Sequence, residues 1–186
     1  MSVSGIYSEF VTLSSPLLRK AKKRGTRQAM NQETDHGASR TGGPLGDLRI
    51  EDLLPHRNGM LLVDEVLEVD STRAVTRSRA RDSWPLSGPV GVDPLILVEL
   101  AAQAAGVCNG WDRIRTQGLD SNQMGWLVAV KKAEFHVETI PLGATVIARA
   151  ENTYNFENLR EVECELRVNG RPAGCATLQL FQARES

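Results

Sequence analysis

Cysteine is scarce in this chain of 186 residues: Cys108, Cys164 and Cys175 are all there is. Three scattered cysteines make no disulfide framework, and no CxxC or Cys/His cluster exists to hold zinc. A reducing cytoplasm is therefore the expected compartment. Histidine is just as rare, with only His36, His56 and His136. The net charge is −1, so the whole-chain balance gives no reason to expect a nucleic-acid binder. The most apolar run, Leu95 to Val107, is interrupted by Glu99 and Gln103. It falls short of the ~20 residues a bilayer crossing needs. The N-terminus lacks the basic region, apolar core and cleavage site of a secretory signal. What is present, 41% hydrophobic and 24% charged residues, suits one folded domain with a tail.

The tail is residues 1–46. It carries seven Lys/Arg against three acids, whereas residues 47–186 carry 15 basic and 20 acidic residues. A short IYSEFVTLSSPLL stretch leads into RKAKKRGTRQ and then a Gly/Ser/Thr-rich run. Apolar periodicity is missing after Leu18, so little there can be buried. Three readings stay open: a disordered basic extension, an over-long start with initiation nearer Met30, or a basic arm for an acidic partner or membrane surface.

From Asp47 the pattern changes. DLRIEDLLPH predicts a short amphipathic helix or turn stopped by Pro55, and MLLVDEVLEVD predicts a strand. RAVTRSRARD alternates with period 2, placing Arg77, Arg79 and Arg81 on one face of a second strand. WPLSGPVG, with two prolines and two glycines, predicts a loop. Asp93 then suits a helix N-cap with Pro94 at the first helical position. LILVELAAQAAGVCNGW predicts about four turns of helix buried on nearly every side, with Gly110 as its terminator. GWLVAVKKAEFHV, ATVIARAENTYNF, LREVECELRVNG and RPAGCATLQLFQ predict antiparallel strands. Asn169-Gly170 between the last two is a strong hairpin signal. The expected class is α+β, an antiparallel β-sheet wrapped around one long buried central helix.

That order of motifs resembles the hotdog fold of 3-hydroxyacyl-acyl-carrier-protein dehydratases. LLPHRNGMLLVDEVLEVD looks like the start of the fatty-acid-synthesis dehydratase, and LILVELAAQAAG like that family's central helix. GWLVAVKKAEFHVETIPLGATV looks like the strand, turn and strand that follow. Glu99 to Trp111 is closer still to a divergent dehydratase-like branch of aryl-polyene-type pathways. The resemblance covers about residues 47–182. It implies loss of water from a 3-hydroxyacyl thioester to give the trans-2-enoyl chain, in fatty-acid or polyene-type synthesis. The substrate would ride on the phosphopantetheine arm of acyl carrier protein or coenzyme A, in a tunnel at a homodimer interface. No metal or redox cofactor is implied.

Glu99 lies in an apolar helix with Gln103 one turn later on the same face. A carboxylate there is costly unless it is hydrogen-bonded or held neutral; a protonated one could supply a departing hydroxyl. A buried Glu satisfied by Gln103, with no chemistry, is the plainer alternative. The family's base histidine falls on Pro85 here, and Ser83 to Pro94 holds no His. The family's helix-start glycine, whose N–H polarises the thioester, falls on Pro94, which has none; the first-turn N–H of Leu95 or Ile96 is the expected substitute. His56 is the best remaining base, with a structural or dimer-packing role as its alternative. His136 on a strand is expected to be structural, and His36 irrelevant. Trp84, Trp126, Leu95 and Phe135 are candidates for an apolar tunnel wall or for core. Arg77, Arg79, Arg81, Arg113, Arg115, Lys131 and Lys132 are candidates to receive an acidic carrier protein, or a solvated face. Cys108 is expected to be a small buried residue with no base to activate it.

Three functions compete: a dehydratase centred on Glu99 and His56, a hotdog thioesterase using the helix carboxylate and a water, and an inactive acyl-binding or partner subunit.

Overall fold

In the computed structural model, residues 45–182 are described. The chain divides into two units, Met1–Gly42 and Gly43–Ser186, and the described residues lie in the second. The readings of the tail and of His36 fall on residues outside those described.

The order is a short helix α1 (Ile50–Leu53), a 3-10 turn (Asn58–Met60), β1 (Glu65–Val69), β2 (Arg73–Arg79), a two-stranded ribbon of β3 (Ser87–Gly88) and β4 (Gly91–Val92), α2 (Ile96–Gln117), then β5 (Gly125–Phe135), β6 (Thr145–Phe156), β7 (Leu159–Val168) and β8 (Arg171–Gln182). Six strands form one antiparallel sheet in the order β1-β2-β6-β7-β8-β5. Helix α2 packs against all six. This is the α+β arrangement that the alternation of residues predicted.

The alternation decides which face meets the helix. In β7, Val162, Cys164, Leu166 and Val168 are buried while Glu163, Glu165 and Arg167 are exposed. In β2, Ala74, Thr76 and Ser78 point inward and Arg73, Arg77 and Arg79 outward. Period 2 puts every second side chain on one face, and the helix covers that face. Asn169 and Gly170 both take positive φ, 50° and 79°, as a two-residue hairpin matching the strand twist requires.

Four expectations need correction. Asp93 Oδ1 accepts the Leu95 N–H at 2.8 Å, but Asp93 is not the N-cap: Pro94 and Leu95 form a turn first, Leu95 is the N-cap and regular α-helix starts at Ile96. The loop at WPLSGPVG contains the β3–β4 ribbon; Val92 also exchanges two 2.9 Å bonds with Ile140, a long-range pairing that turn residues do not announce. His136 lies just past the end of β5, though its N–H still reaches Ala173 O at 2.8 Å.

The fourth concerns Gly110, which does not end the helix. Helix α2 runs 22 residues and stops at Gly118, whose φ is 90°. Gly110 is a glycine for want of space: a Cβ there would sit 2.3 Å from Leu53 O of α1. The glycine lets α1 lie directly on α2. Gly110→Ala should cost about 1–3 kcal/mol by overpacking, read as a lower urea midpoint with an unchanged slope.

The cysteines follow the packing. Burial pushes the thiols of Cys108 and Cys164 up to about 12. Cys108 Sγ lies against Asp70 O and Asn152 Nδ2, and Cys164 Sγ against Ala101 O. A neutral, buried thiol is a poor nucleophile. Of the three, only the half-buried Cys175 should react with a thiol reagent at pH 8 in the native protein; the other two should appear after denaturation.

Candidate active site

The site begins on α2. Glu99 and Gln103 are one turn apart, so their side chains meet: Gln103 Nε2 donates to Glu99 Oε1 at 2.8 Å. Gln103 is wholly buried, and a buried amide must satisfy both ends. Its Nε2 also donates to Met60 O at 2.7 Å, and its Oε1 accepts Leu62 N–H at 2.9 Å. The segment before β1 is thereby pinned to the helix that carries the carboxylate.

The same segment carries His56. Its Nε2 lies 3.3 Å from Glu99 Oε1, with the two side chains 17% and 13% exposed. Both groups are thus largely, but not wholly, shielded from solvent. His56 Nδ1 is buried with no hydrogen-bond partner among the described residues. Imidazole, carboxyl and amide thus form one contiguous group drawn from two parts of the chain. An imidazole and a carboxyl in contact can hold and exchange one proton, the requirement for paired acid and base chemistry.

Other expected residues fall variously. Ile96 is buried and Leu95 half-buried, one turn before Glu99. Their N–H groups are not free as expected: Leu95 N–H goes to Asp93 Oδ1 and Ile96 N–H to Asp93 O at 3.1 Å. That aspartate takes the donors that the missing glycine left to them. Trp84 is buried, 4% exposed, with an unpartnered indole N–H. Trp126 packs on Phe181, ring centroids 5.9 Å apart. Phe181 pairs with Leu159, which shares the outward face of Glu161 and Glu163, so Trp126 is not brought together with Glu99. Phe135 and His136 are exposed.

The cations expected to form a basic patch are largely committed. Arg77 pairs with Glu65, Arg81 with Asp64, Lys131 with Glu161 at 2.6 Å and Lys132 with Glu134 at 3.0 Å. The Lys131 and Lys132 ammoniums hold the Glu161 and Glu134 carboxyls below their usual range. Arg113 is no surface residue at all: it is 2% exposed. Its Nη1 donates to Ser121 O and Oγ and its Nη2 to Asp52 O. Burial lowers its pKa. It fastens α1 and the 118–124 loop to α2. Sequence reasoning missed Met60 and Leu62, which act through backbone atoms and leave no side-chain signal.

The profile of the ApeP-like family, described as ApeP dehydratase, matches residues 48–186. A 3-hydroxyacyl-[acyl-carrier-protein] dehydratase FabZ of Xylella fastidiosa (strain M12) is 30% identical over 148 residues, spanning 76% of this chain and 91% of that protein. The FabZ of Rickettsia bellii (strain RML369-C) is 25% identical over 133 residues, spanning 66% and 89%. Among solved structures, the dehydratase heterocomplex ApeI:P from Xenorhabdus doucetiae superposes with a TM-score of 0.66 at 21% identity, covering 74% of this chain and 93% of that one. Hotdog architecture, a helix with an embedded carboxyl and these relatives converge: the chain belongs to the ApeP-like dehydratase family.

Proposed function

We propose that His56 and Glu99 together remove water from a 3-hydroxyacyl thioester presented on acyl carrier protein, yielding the trans-2-enoyl thioester. The observation that carries this reading is the 3.3 Å contact between His56 Nε2 and Glu99 Oε1. The family relationship supports the reaction class. His56 takes the role that Pro85 cannot.

The reacting state has a neutral imidazole with Nε2 bare and a protonated Glu99 carboxyl. Nε2 takes a proton from C2, the carbon next to the thioester carbonyl. The electron pair forms the C2–C3 double bond, and the C3–O bond breaks. Glu99 gives its proton to the departing hydroxyl, which leaves as water. His56 then holds the proton taken from C2 and Glu99 is ionised; water can carry a proton from Nε2 to Oε2 and restore the starting state. The cycle closes with no net proton change. Gln103 donates to Oε1, so Oε2 is the oxygen placed to carry the proton to the hydroxyl.

Removing a general acid or base typically costs 10²–10⁴-fold. His56→Ala and Glu99→Gln should therefore each lower kcat at least ~100-fold. Intact-mass analysis of a 3-hydroxyacyl-acyl-carrier protein would show loss of one water with the wild type and little with either variant. Wild-type rates in His56→Ala would remove His56 from the mechanism. Release of the acyl chain would mean a thioesterase.

We also propose that the active form is a homodimer joined along β5. That strand is an edge of the sheet, 11 residues long, and it exposes Val128 (53%). An unpaired edge of this length is a template for another strand, and a second copy offers the same edge by two-fold symmetry. Sedimentation should give twice the mass of one chain; a single-chain mass at micromolar concentration would refute it.

A further inference from the structure

A catalytic imidazole is ordinarily aimed by a hydrogen bond to the nitrogen that does not react. Among the described residues His56 has no such bond, because Nδ1 is buried and unpartnered. The polar contact its ring makes among them is with Glu99 itself. Without that bond, the aim of the ring depends on packing and on the backbone on which it stands, and the next residue holds that backbone.

Arg57 Nη1 donates to Leu54 O at 2.6 Å and to His56 O at 2.7 Å, and Nη2 donates to Glu51 O at 3.0 Å. The three carbonyls belong to α1, to its C-cap residue and to the peptide of the histidine. Leu54 is extended, at φ −114° and ψ 141°, so the chain leaves α1 abruptly, and these contacts close the bend. No carboxylate pairs with Arg57 among the described residues. Its planar fork of donors is spent on main-chain oxygens, a task a single ammonium cannot match. Helix α1 is in turn seated on α2 through the Leu53–Gly110 contact and the Arg113 bond to Asp52 O. A continuous chain of contacts runs from α2 through α1 and Arg57 to His56, and back to Glu99 on α2.

We propose that Arg57 is a positioning residue for catalysis, setting the aim of His56 by clamping the Glu51, Leu54 and His56 carbonyls. This rests on the reading of His56 as the base. A misplacement of about 1 Å can cost 10²-fold in rate. Because Arg57 touches no reacting atom, its loss should lower kcat and leave KM nearly alone.

The test uses the full chain and a 3-hydroxyacyl-acyl-carrier protein, with wild type, Arg57→Ala, Arg57→Lys, His56→Ala and Glu99→Gln. In Arg57→Ala, kcat should fall roughly 10–100-fold with KM and the pH profile of kcat little changed. Arg57→Lys should recover only a small part of the loss. Added ethylguanidinium should restore part of the Arg57→Ala rate and none of the His56→Ala rate. A variant that merely loosened the fold would not show that selective rescue. If Arg57→Ala does not fold, Arg57→Lys gives the same reading. Wild-type kcat in a folded Arg57 variant, with His56→Ala inactive, would overturn this proposal and spare the His56 reading. Wild-type kcat in His56→Ala would overturn both.

Discussion

A primary amide offers two N–H donors and a carbonyl with two lone pairs. At Gln103, on a wholly buried helical side chain, these groups meet Met60 O, Glu99 Oε1 and Leu62 N–H. The two backbone partners fix which end of the amide points where. Turned over, the carbonyl would face Met60 O and the NH₂ would face the Leu62 N–H. The segment before β1 therefore dictates that Glu99 faces a donor, and Oε1 becomes an acceptor. The carboxyl is held at Oε1. One amide thus sets the orientation of the acid and fastens the segment that brings the imidazole.

The energetics explain why these contacts occur as a set. An unsatisfied buried polar group costs about 1–3 kcal/mol, so a partial network would be worse than an apolar core. Here the amide is satisfied, and within the His56–Glu99–Gln103 group the buried atom without a partner among the described residues is His56 Nδ1. The surrounding scaffold is rigid where it must be. Gly110 allows α1 to touch α2, and the buried Arg113 holds α1 through a main-chain oxygen.

Much of this was legible in the residues. Period-2 patterning gave the faces of β2 and β7, and Asn169-Gly170 gave the last hairpin. These are local signals and need no knowledge of the partner. Glu99 and Gln103 could be paired because helical geometry makes them neighbours. The reading failed where a residue answered to something distant. Gly110 looked like a helix stop, but it is small because Leu53 O presses on it. The Leu95 and Ile96 N–H groups looked free until Asp93 turned back on both. The partnership of His56 with Glu99 depends on a contact such as Leu62 to Gln103, 41 residues apart, which no short window contains. The work of Arg57 was hidden because its acceptors are carbonyls that every residue possesses.

The strand order has a consequence for how the chain reaches this state. Strands β6, β7 and β8 follow one another and pair in sequence, each hairpin closing a short loop at little entropic cost. Strand β5 precedes all three yet, among the described residues, pairs only with β8, so it can be added only after the meander has reached its last strand. Strands β1 and β2 form a local hairpin of their own, but it joins the sheet only through β6. Contact order thus assigns the two edges to the late stages of assembly, while the centre of the sheet is available early. Helix α2, which links β2 on one side to β5 on the other, is clasped only when both edges arrive. His56 and Glu99, drawn from opposite sides of β1 and β2 in the chain, therefore come into register near the end of folding, and recovery of their contact would report completion of the whole domain.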